Sequence, residues 1–264
     1  MKLLKLGQSL GGSNSGGGGA AAFPNLYSLD FDGVDAYVTF GDADVFTPNS
    51  SGANRGFTMS FWVYPEASGN NSFGSKRRFA GGGQRYEWNV ATDYRTYPYI
   101  QFFGNDNQNI YQVFYINTAL TLNTWYHIAF TFDLSSANTS IVGYLNGVKK
   151  TNSSGGTYAS VGTWAAVANT AAPMDWGRIA NSYGNSLLDE ISLFDDALSE
   201  AQVQAIYNSG TPTDLSGDSY LVGYWRNGDT AGTSVYPTIE DYSSNSNDGT
   251  MNAMVSGDIV TNVP

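Results

Sequence analysis

The sequence predicts an all-β fold: two antiparallel sheets packed face to face, with one short helix. Three observations lead there. Short runs rich in Tyr, Phe, Val and Ile recur along the chain, bounded by Gly, Asn and Asp. Composition is 14% aromatic with 31 glycines and only 13% charged residues, which suits strands joined by turns better than long surface helices. No strand–helix–strand alternation of the kind that builds parallel sheets is present. With 264 residues and 41% hydrophobic content, the chain can bury one large core.

Taken in order, Tyr27–Phe31 and Ala36–Phe40 flank Asp32-Gly33, a hairpin-type turn signal. In Phe57–Tyr64 the two-residue period puts Phe57, Met59, Phe61 and Val63 on one face. Tyr86–Val90, Tyr99–Phe103 and Tyr111–Ile116 are short aromatic and β-branched runs. In Trp125–Phe132, the residues Tyr126, Ile128, Phe130 and Phe132 face one way, and Trp125, His127, Ala129 and Thr131 the other. Ile141–Leu145 and Val148–Thr151 flank Asn146-Gly147, the strongest local turn signal, because a type I′ turn needs positive φ at both central residues. Leu187–Phe194 and Tyr220–Arg226 are further strands.

One helix follows Ser199. That residue and Gln202 make a capping box, Leu198 and Val203 a hydrophobic staple, and Val203, Ile206 and Tyr207 an apolar face ending at Gly210. At about three turns it is expected to cap the sandwich without covering a sheet face.

Charge and composition exclude several classes. Net charge is −11 with a pI near 4.3, which argues against a nucleic-acid partner, since phosphate binding needs clustered Lys and Arg. No cysteine is present, so disulfides and thiolate metal sites are excluded. No segment approaches the ~20 apolar residues of a membrane span. Lys5 and Gln8 interrupt the start, so no secretory signal peptide is expected and synthesis in a host cytoplasm is.

Four segments, in order, resemble the laminin-G-like family of the concanavalin-like lectin/glucanase superfamily: LDFDGVDAYVTF, FTMSFWVYP, NTWYHIAFTFD with GYLNGVKK, and LLDEISLFDDALSEAQVQAIYNSG. They cover most of residues 27–210, and the resemblance implies a jelly-roll sandwich. LVGYWRNGDTAG and DYSSNSNDGTM resemble the family's opening strands but come last, so the resemblance implies a circularly permuted order. Residues 1–24 are then a flexible Gly-rich N-terminal arm and 25–264 one domain, with 218–264 completing the same sandwich. The Gly-rich leader and the ending IVTNVP are similar to virion-associated proteins of bacteriophages.

The superfamily includes glycoside hydrolases, which need two carboxyl groups about 5–9 Å apart. The nearest candidates are Asp189, Glu190 and Asp195. Phe194 stands where an E-x-D-x-E pattern needs an acid, and Asp189 to Asp195 spans about 20 Å of strand. No catalytic residue is assigned. His127, the only histidine, has no sequence partner for catalysis or zinc and reads as a satisfied sheet residue.

Asp30, Asp32 and Asp35 bracket a tight turn, which leaves two readings: a calcium site, the single cofactor considered, or Asx-turn bonds to backbone N–H groups. Tyr94, Arg95 and Tyr97, with Asn105, Asp106 and Asn107, are expected to sit near each other as a glycan-binding surface, rings stacking on sugars and amides taking hydroxyls. Ordinary sheet tyrosines are the alternative. Lys76-Arg77-Arg78 is a lone basic cluster, expected in a solvated loop or against an acidic neighbour or glycan. Leu3, Leu4, Leu6 and Leu10 form an apolar set ahead of a glycine tether, suited to docking on another virion protein or another copy.

The functional expectation is a non-enzymatic structural protein of the virion surface (head decoration, fibre or tail) with a lectin-like face for cell-surface polysaccharide. A stand-alone lectin module is the alternative. A glycoside hydrolase is disfavoured by the missing carboxylates.

Overall fold

The computed structural model describes residues 24–48, 56–80, 83–104, 109–134, 140–228 and 236–264. In chain order its strands are β1 (Ser28–Asp32), β2 (Tyr37–Thr39), β3 (Phe57–Pro65), β4 (Asn71–Ala80), β5 (Gly83–Thr92), β6 (Pro98–Phe103) and β7 (Tyr111–Ile116). There follow β8 (Tyr126–Asp133), β9 (Ser140–Leu145), β10 (Val148–Lys150), β11 (Gly156–Val161) and β12 (Met174–Trp176). The two-residue strands β13 (Arg178–Ile179) and β14 (Ser182–Tyr183) precede β15 (Asn185–Phe194). After helix α1 (Glu200–Tyr207) come β16 (Leu221–Trp225), β17 (Thr238–Ile239), β18 (Gly249–Asn252) and β19 (Ile259–Val260).

These build two large antiparallel sheets, a jelly-roll sandwich. One is ordered β10-β9-β8-β3-β15-β1-β19, with β16 also paired to β15. The other is ordered β11-β7-β6-β5-β4-β12-β2-β18-β17. The facing sides supply one core. Phe57, Met59, Phe61, Val63, Ile128, Phe130 and Phe132 come from the first sheet, and Trp88, Val90, Ile100, Phe102, Phe114 and Ile116 from the second. The alternation seen in β3 and β8 is therefore the core alternation, since successive strand side chains take opposite faces. The last strands sit beside the first: β19 pairs β1 and β18 pairs β2.

Four expectations are corrected. The Asp32-Gly33 turn does not close a hairpin: β1 lies in one sheet and β2 in the other, so the turn carries the chain between layers. By contrast, Asn146 (φ 50) and Gly147 (φ 72) do close the β9–β10 hairpin, with Leu145 opposite Val148.

Helix α1 does not cap an end. Its Val203 and Ile206 join Leu198, Ala129, Tyr144, Phe194, Leu221 and Tyr224 in a second core on the outer face of the eight-stranded sheet. Ala129 leaves the space that lets a short helix lie flat there. The capping box forms as read, with Ser199 N–H donating to Gln202 Oε1 at 2.9 Å. The helix ends at Asn208, in the left-handed conformation, before Gly210 is reached.

Lys76-Arg77-Arg78 is not a loop but part of β4. Lys76 is wholly buried and donates to Asp42 Oδ1 (2.7 Å), Glu87 Oε1 (2.6 Å) and the Thr170 carbonyl (3.2 Å). Finally, β15 does not keep a strict two-residue period. Leu188 faces the core, but Ile191 and Leu193 follow on that face after an odd step, because Glu190 (φ 48) forms a bulge against β3.

Candidate functional site

A groove runs on the outer face of the nine-stranded sheet. Trp88, Val90, Ile100, Phe102, Phe114 and Ile116 point into the core. The alternate residues Ala91, Tyr99 and Tyr115 therefore point outward. Tyr99 and Tyr115 stand directly opposite each other on β6 and β7, ring centroids 5.2 Å apart. Burial raises the phenol pKa of Tyr99 and, less enclosed, that of Tyr115, so both remain hydroxyl donors.

A wall rises beside this floor. The β13–β14 hairpin pairs Arg178 with Tyr183 and Ile179 with Ser182, turning through Ala180 (φ 55) and Asn181. It is pinned to β4 by Ser75 Oγ–H donating to the Arg178 carbonyl (3.0 Å) and by Ser72 Oγ to Ser182 Oγ (3.3 Å). Gly184 is required at its base, because a Cβ there would lie 2.0 Å from the Ser72 carbonyl oxygen. Between wall and floor runs an open groove of about 370 Å³, lined by Asn71, Arg77, Thr92, Tyr99, Asn181 and Ser182 among others. Arg77 lies with its guanidinium carbon 4.3 Å from the Tyr86 ring centroid, a cation–π contact.

The expected glycan residues divide. Tyr94, Arg95 and Tyr97 lie in the turn between β5 and β6. Asp93 Oδ1 accepts the Arg95 and Tyr97 N–H groups (2.8 and 3.1 Å), and Arg95 Nε and Nη2 donate to Asp93 Oδ2 (2.9 and 2.6 Å). The Arg95 guanidinium stacks 4.4 Å over Tyr97 and reaches within 5.9 Å of Tyr115, making the turn continuous with the groove floor. Tyr94 is 77% exposed. Asn105, Asp106 and Asn107 lie outside the described residues, as do Leu3, Leu4, Leu6 and Leu10 of the arm. Of the groove residues, Tyr99 closes the Tyr94–Tyr99 run and Arg77 belongs to the basic cluster, while Asn71 and Asn181 carry no sequence signal of a site. Turn signals at Gly177, Asn181 and Gly184 marked the hairpin, but nothing local says that it folds onto β4.

In the Asp-rich turn, Asp32 Oδ1 accepts the N–H groups of Val34, Asp35 and Ala36 (2.9, 3.3 and 3.2 Å), which is Asx-turn geometry. The Asp32 carboxyl, though drawn slightly upward by burial, is held below its ordinary pKa by these bonds. Asp30 is raised, by burial first and then by the charges of Asp258 and Asp32. Among the described residues no three His, Cys, Asp or Glu side chains converge as a metal ligand set.

Asp189 and Glu190 lie on the other sheet, both buried. Glu190 accepts from the Tyr224 hydroxyl and sits 3.4 Å from Arg226 Nε, beneath the helix-covered face. His127 is also wholly buried, its Nε2 2.8 Å from Ser60 Oγ, between the rings of Trp62 (5.2 Å) and Tyr207 (5.7 Å).

No curated protein matches this chain. Among solved structures, a Bacteroides ovatus protein described as a "putative carbohydrate binding protein" is similar in fold (TM-score 0.61, 18% identity), over 90% of this chain. This chain spans only 60% of the length of that protein. Weaker likenesses are the heptameric SAP-like pentraxin of Limulus polyphemus (TM-score 0.45, 12% identity, 71% of this chain, 84% of that one) and Trypanosoma rangeli sialidase (TM-score 0.47, 16% identity, 73% of this chain, 29% of that one). The family model of laminin-G type, described as the concanavalin A-like lectin/glucanases superfamily, matches residues 32–204, well over half of the 264. With its two-sheet sandwich and that match, the chain belongs to the concanavalin A-like lectin/glucanases superfamily.

Proposed function

We propose that this chain is a non-catalytic carbohydrate-binding module that takes a saccharide along the outer face of its nine-stranded sheet. One observation carries this: a ring (Tyr99), amides (Asn71, Asn181) and a guanidinium group (Arg77) line one open, pinned groove, and Tyr115 and Arg95 adjoin it beside Tyr99. Sugars present C–H faces to rings and hydroxyls to amides, which is the complement of such a surface. The role described for the Bacteroides ovatus neighbour agrees with this reading.

The non-catalytic part is supported by where the carboxylates lie. The larger groove has no Asp or Glu in its lining. Asp189 and Glu190 are sealed under the other sheet's helix. Hydrolysis by the usual pair needs two acids facing one bond.

The finer form of the proposal is a virion-surface protein with a permuted strand order, attached to other virion proteins or copies of itself through Leu3, Leu4, Leu6 and Leu10. The pairings of β18 with β2 and β19 with β1 support the permuted order. Removing residues 1–20 tests the arm: folding and sugar binding should persist while attachment to the particle fails.

Screening the purified chain against polysaccharides tests the main reading. Tyr99→Ala and Tyr115→Ala should each weaken the bound sugar about tenfold, the order of one lost aromatic contact. Unchanged binding in both variants would place the site elsewhere. Calcium on Asp30, Asp32 and Asp35 is a second proposal; Asp30 is raised first by burial and then by the charges of Asp258 and Asp32. A melting temperature lowered by chelator assigns the ion there, and an unchanged one assigns the Asx turn.

A further inference from the structure

The geometry points to an acidic saccharide as the ligand, with its carboxylate seated at the hairpin end of the groove; this rests on the carbohydrate-binding reading above. There the groove continues into a recess of about 180 Å³ lined by Tyr37, Arg77, Arg78, Asp175, Arg178 and Asn181. Three guanidinium groups meet one carboxylate in this recess. The whole chain has only 12 Lys and Arg against 23 Asp and Glu. A quarter of its cationic side chains therefore converge on one small concavity of an otherwise anionic surface.

The three arginines are not equivalent. Arg178 is committed: its Nε and Nη2 both donate to Asp175 Oδ2 at 2.9 Å, and its guanidinium lies 3.4 Å over the Tyr37 ring. Asp175 is thereby answered within the recess. One carboxylate against three guanidinium groups leaves the recess net positive. Arg77 lines both the groove and the recess and packs over the Tyr86 ring. Arg78 is exposed and forms no ion pair among the described residues. Guanidinium N–H groups present a planar fork that matches a carboxylate through two parallel bonds. A neutral sugar gives no reason for this concentration of cations, and a net charge of −11 repels polyanions everywhere else. The net positive recess suits an acidic polymer. Tyr99 on β6 lies across β5 from Arg77 and Arg78 on β4, so ring contacts there fall within the same groove as the seated anion.

The test uses the full chain with polygalacturonate, its methyl-esterified form and dextran sulfate, in wild type and in Arg77→Gln, Arg78→Gln and Arg78→Lys. Melting temperatures confirm that each variant folds. Arg78 is exposed, so its variants stand even where Arg77→Gln does not fold. We expect polygalacturonate to bind at least tenfold more tightly than its ester. That preference should fall at least fivefold in Arg78→Gln, recover in part in Arg78→Lys, and weaken with salt. Equal binding of acid and ester, or a preference untouched by Arg78→Gln, overturns the acidic assignment and leaves the carbohydrate reading standing. Tighter binding of dextran sulfate than of polygalacturonate also overturns it, by moving the ligand to sulfate. Failure to bind any polysaccharide, neutral ones included, overturns both.

Discussion

Acid should destabilise this protein through its buried histidine. His127 on β8 is wholly buried, and desolvation holds its pKa down at about 3, against 6.5 for a free imidazole. The unfolded chain takes up a proton as pH falls through 6.5, and the folded chain does so only near 3. The stability that His127 contributes is therefore fully present above pH 6.5 and is lost as pH falls towards 3. At pH 4.5, two units below the unfolded pKa, the loss is about 2.7 kcal/mol, at 1.36 kcal/mol per unit. The perturbation is His127→Gln, which keeps a partner for Ser60 Oγ and removes the titration. Urea unfolding of both proteins at pH 7.5 and 4.5 is the assay. The wild type should lose about 2–3 kcal/mol more than the variant between the two pH values, after the variant's own cost at pH 7.5 is subtracted. Because His127 is the only histidine, its imidazole NMR signal reports the folded pKa without assignment. Equal acid losses in the two proteins, or a measured pKa above 5, would refute the reasoning.

Three further outcomes are expected. Lys76→Met leaves Glu87, buried and already raised in pKa by desolvation, without its cation, whereas Glu87→Gln leaves Lys76 its Asp42 partner. The first should therefore cost about 3–5 kcal/mol and the second less, and chemical denaturation that reverses this order would contradict the network. Ile206→Ala should cost about 2–5 kcal/mol, because α1 seals a second core, and a loss under 1 kcal/mol would mean the helix is mere decoration. Deleting residues 218–264 should abolish the cooperative melt, since Trp225 packs 4.5 Å from Phe40 and 5.9 Å from Phe46 in the main core; an unchanged melt would make that segment separate.

Local chemistry was legible wherever one strand, turn or helix end decides the outcome. Phe57, Met59, Phe61 and Val63 had to share a face because the side-chain period of a strand is two, and that face is the core. Asn146-Gly147 and the Ser199–Gln202 box needed only their own neighbours to form. Strand β4 was hidden. Ser72, Gly74, Ser75, Lys76 and Arg77 read as loop until Trp176 lies over Gly74, where a Cβ would sit 2.7 Å from its ring, and until Glu87 and Asp42 answer Lys76.

What the sequence by itself determined was the class of fold, the strand faces, one hairpin and the helix cap, all set by contacts within a few residues. What only the tertiary structure decided was which sheet each strand joins, as the Asp32-Gly33 turn between layers demonstrates, and which distant side chains meet. Asn71, Arg77, Tyr99, Asn181 and Arg178 share a groove because ladder hydrogen bonds and desolvation bring β4, β6 and the β13–β14 hairpin together. Those are long-range terms that no run of neighbouring residues encodes.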